Sequence, residues 1–125
     1  MITYKFNNKI GILETVIIGD VSISDFVKYI TSLIEDESLP PVLKIFTDAS
    51  KGRIATDIKY EELPKIVEVN NNHLKKRELI CDAFVLSSSI ETALGQLYME
   101  LSNSKNYFFN IFSTKESALY WLKRF

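Results

Sequence analysis

Residues 19–50, "GDVSISDFVKYITSLIEDESLPPVLKIFTDAS", decide the fold. Ser22 with Asp25 three residues later is a capping-box pattern, which starts a helix sharply. Ile23, Phe26, Val27, Ile30, Leu33 and Ile34 then recur at helical spacing, so one face is apolar. Pro40-Pro41 forbids continuation of the helix, and "VLKIFT" at 42–47 reads as a strand. A helix between two strands with short connections is a crossover unit, and it sets the two strands parallel.

The pattern repeats outward from this unit. Upstream, "ITYKF" alternates, with Ile2, Tyr4 and Phe6 facing one way, which predicts a half-buried strand. Asn7-Asn8 tolerates the left-handed backbone of a tight hairpin, and "KIGILETVIIG" at 9–19 reads as the return strand, ended by Gly19-Asp20. Downstream, Leu63, Ile66, Val67 and Asn70 mark a second helix. Pro64 fits only its first turn, so its regular part begins near Glu62. "ELICDAFVL" at 78–86 is the fourth strand and "NYFFNIF" at 106–112 the fifth. Ser88 with Glu91 and Ser113 with Glu116 repeat the capping pattern. Ile90, Ala93, Leu94, Leu97, Tyr98 and Leu101 form the stripe of the third helix; Ala118, Trp121, Leu122 and Phe125 form that of the fourth.

The order β-β-α-β-α-β-α-β-α predicts an α/β fold. Its five-stranded sheet is mostly parallel, with an antiparallel N-terminal strand and four helices mainly on one face. Residues 1–125 read as a single domain, a size with room for a real core. Glu14, Lys44, Asp82 and Asn110 interrupt strands, so one sheet face should be partly open. Phe108 and Phe112 share a side with Asn110 and are candidates for a dimer or ligand surface there. Asp82 is expected to face water on the open side.

Composition narrows the function classes. Apolar residues make up 46% and charged residues 25%, with a formal net charge of −1, so no basic excess favours nucleic acid or an anionic membrane surface. No apolar run approaches a membrane span. The N-terminus lacks a basic region followed by an apolar block, so no signal peptide is expected. A single cysteine, Cys81, excludes an intrachain disulfide framework and suits a reducing cytosol. Cytoplasmic is therefore the expected compartment. The single histidine, His73, precedes Lys75-Lys76-Arg77 and reads as a solvated surface residue. Cys81 reads as a small buried side chain. Neither supports a metal site or a nucleophilic triad, and no cofactor motif is present.

"TDASKGRIATD" at 47–57 holds the most suggestive chemistry. It is not a phosphate-cradling loop of the Gly-x-x-x-x-Gly-Lys-Ser/Thr kind, since Gly52 stands alone. Its expected position is beyond the carboxyl end of the third strand, where parallel sheets bind ligands. There Asp48, Ser50, Lys51, Gly52 and Arg53 would share a rim with Ser87, Ser88 and Ser89, and the third helix would point its amide end at an anion. The competing reading is turn and capping chemistry.

Gly19 before a capped helix, Asp25-Phe26, the prolines before the third strand and Asp48 closing it resemble SpoIIAA-like, STAS/SEC14-type bacterial proteins. "SSSIETALGQLYMEL" and "FSTKESALYWL" are similar to the same group. The resemblance implies a STAS-like domain over nearly the whole chain. The better-understood relatives are anti-sigma-factor antagonists with a phosphorylatable serine in Asp-Ser-Ser-Gly-Leu. Here that register falls near Thr56-Asp57, where serine and glycine are missing. The expected function is therefore a non-enzymatic regulatory or protein-interaction module, with possible self-association as a homodimer. The alternative is a small-ligand protein for a lipid or an anion.

Overall fold

The computed structural model describes residues 1–54, 60–86, 88–102 and 104–125. A hairpin opens the chain: β1 (Ile2–Asn7) pairs antiparallel with β2 (Ile12–Val21), with Tyr4 opposite Thr15 and Phe6 opposite Leu13. The left-handed residue of the turn is Gly11, at φ 68°, rather than either asparagine. Asn7 serves the turn with its side chain, accepting from the Lys9 amide at 3.1 Å and donating to Glu14 Oε1 at 2.9 Å.

Helix α1 (Ile23–Glu35) begins where the capping box predicts. Ser22 Oγ accepts from the Asp25 amide at 3.2 Å, and Asp25 Oδ2 accepts from the Ser22 amide at 2.9 Å. Then follow β3 (Val42–Ile54), a 3₁₀ turn at Tyr60–Glu62, α2 (Leu63–Leu74), β4 (Leu79–Leu86), α3 (Ser89–Leu101), β5 (Tyr107–Phe112) and α4 (Lys115–Leu122). Pro64 occupies the first turn of α2, as its missing N–H requires. The cap of α4 sits one residue later than Ser113: Thr114 Oγ1 accepts from the Ser117 amide at 3.2 Å.

The sheet order is β1-β2-β3-β4-β5, with β1 antiparallel and the other strands parallel. Each parallel step moves to the adjacent position in the same direction. Crossovers of one hand then carry α1, α2 and α3 to the same face. Ile30, Leu63 and Ile66 pack there with Phe26, Leu94 and Tyr98, while Leu13, Leu43, Ile45 and Ile80 form the floor beneath them. Helix α4 follows the last strand, is free of that constraint, and packs on the opposite face. Ala118 and Leu122 seal Phe46, Cys81, Ala83 and Val85 there. Cys81 is buried, as expected.

Two expectations about strand length are corrected. β2 runs on past Gly19-Asp20 to Val21, and β3 runs on past Thr47 to Ile54. Residues 48–53 are therefore strand rather than loop. This part of β3 extends beyond β4, whose pairing ends at Ala49 opposite Leu86, and continues along β2 alone. A two-stranded extension has no third layer to exclude water, so polar side chains are tolerated in it. The register shifts between Val16 and Ile18, where Asp48 pairs with Val16 but Lys51 with Ile18. One extra residue on β3 makes this a bulge. Asp48 Oδ1 closes it, accepting from the Ser50 amide at 3.0 Å and the Ser50 hydroxyl at 2.6 Å.

Gly52 meets Gly19 across this extension, and a Cβ on Gly52 would lie 2.6 Å from Ile17 Cγ2 and 3.1 Å from the Ile17 carbonyl oxygen. The close approach explains why a glycine stands in a strand. Gly52→Ala is expected to destabilise by about 1–3 kcal/mol through overpacking. The neighbouring exposed change Lys51→Ala should stay within about 0.5 kcal/mol. Urea midpoints of the two variants check the pair.

Candidate functional site

Strand alternation puts successive side chains of β4 on opposite faces. Cys81, Ala83 and Val85 point to α4, and small side chains there let the helix pack close. Ile80, Asp82, Phe84 and Leu86 point the other way, toward the three crossover helices. Glu14, Lys44 and Asn110 do lie on the α4 side, each flanked in register by Phe46, Cys81 or Ala83. Asp82 does not. Its expected placement on the open face is overturned by strand phase: it shares parity with Phe84, which lies under the helices.

A cavity of about 90 Å³ separates this floor from α1, α2 and α3. Ile30, Leu33, Ile45, Ile66, Phe84 and Leu94 supply much of its wall. A dry apolar cavity of about 150 Å³ can hold benzene, which sets the scale for what this smaller one can take up. The polar groups at its edge come from every surrounding element: Asp82 from the floor, Tyr29 from α1, Asn70 and His73 from α2, Glu91 and Tyr98 from α3. The N-terminal ends of α1, α2 and α3 meet at one end of the cavity, through Ile23, Leu63 and Glu91. This is the carboxyl end of β4, the side on which open parallel sheets bind ligands.

Asp82 is the chemical centre. Asp82 is partly exposed and lines the cavity, and the bond it receives from a described residue is a long one, from Thr47 Oγ1 at 3.3 Å. Burial pushes its carboxyl up to about 8, and the Thr47 hydroxyl offsets that only in part. At neutral pH the group is mainly the neutral acid, able both to donate and to accept. The phenols around it are also held neutral. Tyr29 rises through burial and the nearby Asp82 charge, and donates to or accepts from Thr15 at 2.7 Å. Tyr98 is pushed up to about 12 by burial and bonds Tyr107 at 3.1 Å.

His73 is the second correction. Far from being a solvated residue, it is 1% exposed on the inner face of α2. Burial, with the Arg77 and Lys76 charges, brings its imidazole down to about 4. Its Nε2 accepts from Arg77 Nε at 3.1 Å, so the proton of the neutral ring sits on Nδ1. Arg77 in turn donates to the carbonyls of Leu33 at 2.9 Å and Leu39 at 3.1 Å. It thereby satisfies the open C-terminal end of α1 and locks it to α2.

The residues expected to form a rim are spread over the β2–β3 extension and the start of α3. Asp48 and Ser50 bond each other at the bulge; Lys51 and Arg53 are exposed along the β2–β3 extension; Gly52 is buried against Ile17. Ser88 is the N-cap of α3, its Oγ accepting from the Glu91 amide at 3.2 Å. Ser87, the Ser89 side chain, Thr56 and Asp57 lie outside the described residues. Phe108 packs on Phe125 with ring centroids 5.2 Å apart, and Phe112 on Trp121 at 5.6 Å, so α4 and the C-terminus shield part of both. Among the described residues no group of three or more metal-ligating side chains converges, and no helix is long and apolar enough to cross a membrane.

The shift at Asp82 has a sign that stability reveals. Between about 3.8 and about 8 the folded chain keeps a proton that the unfolded chain has lost. The group's favourable share is full below the lower value and is lost as pH rises through the upper one. Asp82→Asn keeps the shape and removes the titration. Its stability relative to wild type should rise by several kcal/mol between about pH 4 and about pH 8, at about 1.4 kcal/mol per pH unit. Urea unfolding of both proteins across that range checks it, since His73 contributes equally to each.

No protein-family model matches the chain, and no curated protein matches its sequence. Among solved structures, it is similar to an uncharacterised protein of the DUF3478 family with a SpoIIAA-like fold from Shewanella loihica PV-4. The TM-score is 0.62 at 15% sequence identity, covering 98% of this chain and 92% of that one. At that identity the likeness establishes the fold, which is SpoIIAA-like.

Proposed function

We propose that this chain is a non-catalytic binding module for a small, mainly apolar molecule, held under α1, α2 and α3 with its one polar group on Asp82. The observation that carries the reading is a carboxyl group set into an apolar cavity with a single long hydrogen bond from a described residue. An ionisable side chain is expensive to bury, and a cleft holding one with a displaced pKa is a candidate site. The anion version is less supported. Ser88 is spent as a cap, and Asp48 brings negative charge to the place where an anion would bind.

The reading predicts stabilisation by short-chain ligands. At a concentration 100 times its dissociation constant, a bound six-carbon compound should add about 2.7 kcal/mol to unfolding. Ile66→Phe, which fills part of the cavity, should abolish most of that gain at a cost of about 1–3 kcal/mol in the unliganded protein. Thermal unfolding with and without 1-hexanol, hexylamine and hexanoate measures both. No shift with any of them contradicts the reading.

A protein-interaction or self-associating module is the second reading. It is favoured by Val16 and Ile18, 37% and 44% exposed on the sheet face that α4 leaves uncovered. Sedimentation that shows a concentration-independent monomer counts against the self-associating form.

A further inference from the structure

The composition of the cavity wall says more about the ligand than its volume does. Asp82 is surrounded by aromatic rings. Phe84 follows it on the same face of β4, and Phe109 is its neighbour in register on β5. The Phe84 and Phe109 centroids are 5.1 Å apart, and Tyr98 meets Phe109 edge-on at 5.1 Å and 74°. Tyr29 and Phe26 of α1 face the same space. A carboxyl group among aromatic faces is the arrangement that recognises an organic cation, because the rings present negative electrostatic faces to it.

The charged groups nearby agree in sign. Glu91 adds a second carboxyl group to the wall, from α3. His73, from α2, is a neutral ring, and Tyr29, Tyr98 and Tyr107 are neutral phenols. Arg77 and Lys76 turn away, their donors engaged by the carbonyls of Leu33 and Ile34 at 2.9 Å and 3.4 Å. Among the described residues no lysine or arginine lines the cavity. Apart from the amide ends of α1, α2 and α3 at one end of the cavity, an anionic ligand would meet two carboxyl groups and, among the described residues, no cation. A cationic one would supply a charge partner that no described residue gives Asp82.

We propose that the ligand is a small organic cation, a primary or methylated amine on a short apolar tail, whose ammonium group sits against Asp82 among Phe84, Phe109 and Tyr98. This rests on the reading of the cavity as a ligand site and adds the class of ligand to it. Binding makes Asp82 ionise, so the neutral acid gives its proton to solvent as the ammonium arrives.

The test compares one six-carbon tail with three head groups, hexylamine, 1-hexanol and hexanoate, by calorimetry in two buffers of different protonation enthalpy. Hexylamine should bind tightest, release close to one proton per site at neutral pH, and gain roughly tenfold in affinity per pH unit as pH rises toward about 8. In Asp82→Asn, checked for native unfolding behaviour, proton release and the pH slope should vanish and hexylamine should fall to the level of hexanol. Equal or tighter binding of hexanol or hexanoate, without proton release by the amine, overturns the cation inference and leaves the cavity reading standing. Failure of all three compounds overturns both.

Discussion

Every strand from β2 to β5 advances the sheet by one position in the same direction. With a common crossover hand, the chain has no choice but to lay its three connecting helices on one face. Three helices cannot close down on a twisted sheet everywhere at once, and the gap that remains is the cavity above β3, β4 and β5. Among the described elements, the opposite face receives only α4. It is sealed there by small side chains, with Ala83 and Ala118 fully buried at the contact. The asymmetry of the two faces thus comes from connectivity, and the side chains of β4 follow it: small toward α4, large or ionisable toward the cavity.

Asp82 is the point where this arrangement departs from simple core packing. An apolar residue in its place would join Ile45 and Phe84 in a continuous floor. A carboxylic acid there is instead held neutral by its surroundings, and its sparse hydrogen bonding leaves capacity for a partner. Some of the polar groups around it pair with one another, Thr15 with Tyr29 and Tyr98 with Tyr107. His73 is similarly committed to Arg77, which ties α1 to α2 and so maintains the roof. These pairings hold the walls in place around the acid.

Much of the fold was legible in the sequence because its signals are local. The Ser22–Asp25 capping box, the proline pair at 40–41 and the alternation in "ITYKF" each act within a few residues. Their order dictates the parallel sheet. The length of β3 was not legible, because residues 48–53 are polar and their pairing with β2 depends on a bulge and on Gly52 approaching Ile17. The α4 cap was misplaced by one residue because Ser113 and Thr114 offer the same chemistry at adjacent positions. For the site, position carried more information than polarity. His73 continues the inward spacing of Ile66 and Asn70, yet its polarity and the adjacent cations suggested a surface. Asp82 shares its strand phase with Ile80, Phe84 and Leu86, and the small residues between them mark which face packs close. That contrast was present in the sequence, but which face lay under the helices depends on long-range topology.

A neutral Asp82 carboxyl in the folded protein at neutral pH is what makes the cavity a site. Carbon-13 NMR of aspartate-labelled protein, with Asp82→Asn used to assign the signal, measures this directly. A carboxyl carbon that stays in the protonated range at pH 7 and titrates near 8 is the predicted result. A titration midpoint near the ordinary value of 3.8 would mean that Asp82 is solvated, and the cavity would lose the feature that makes it a site.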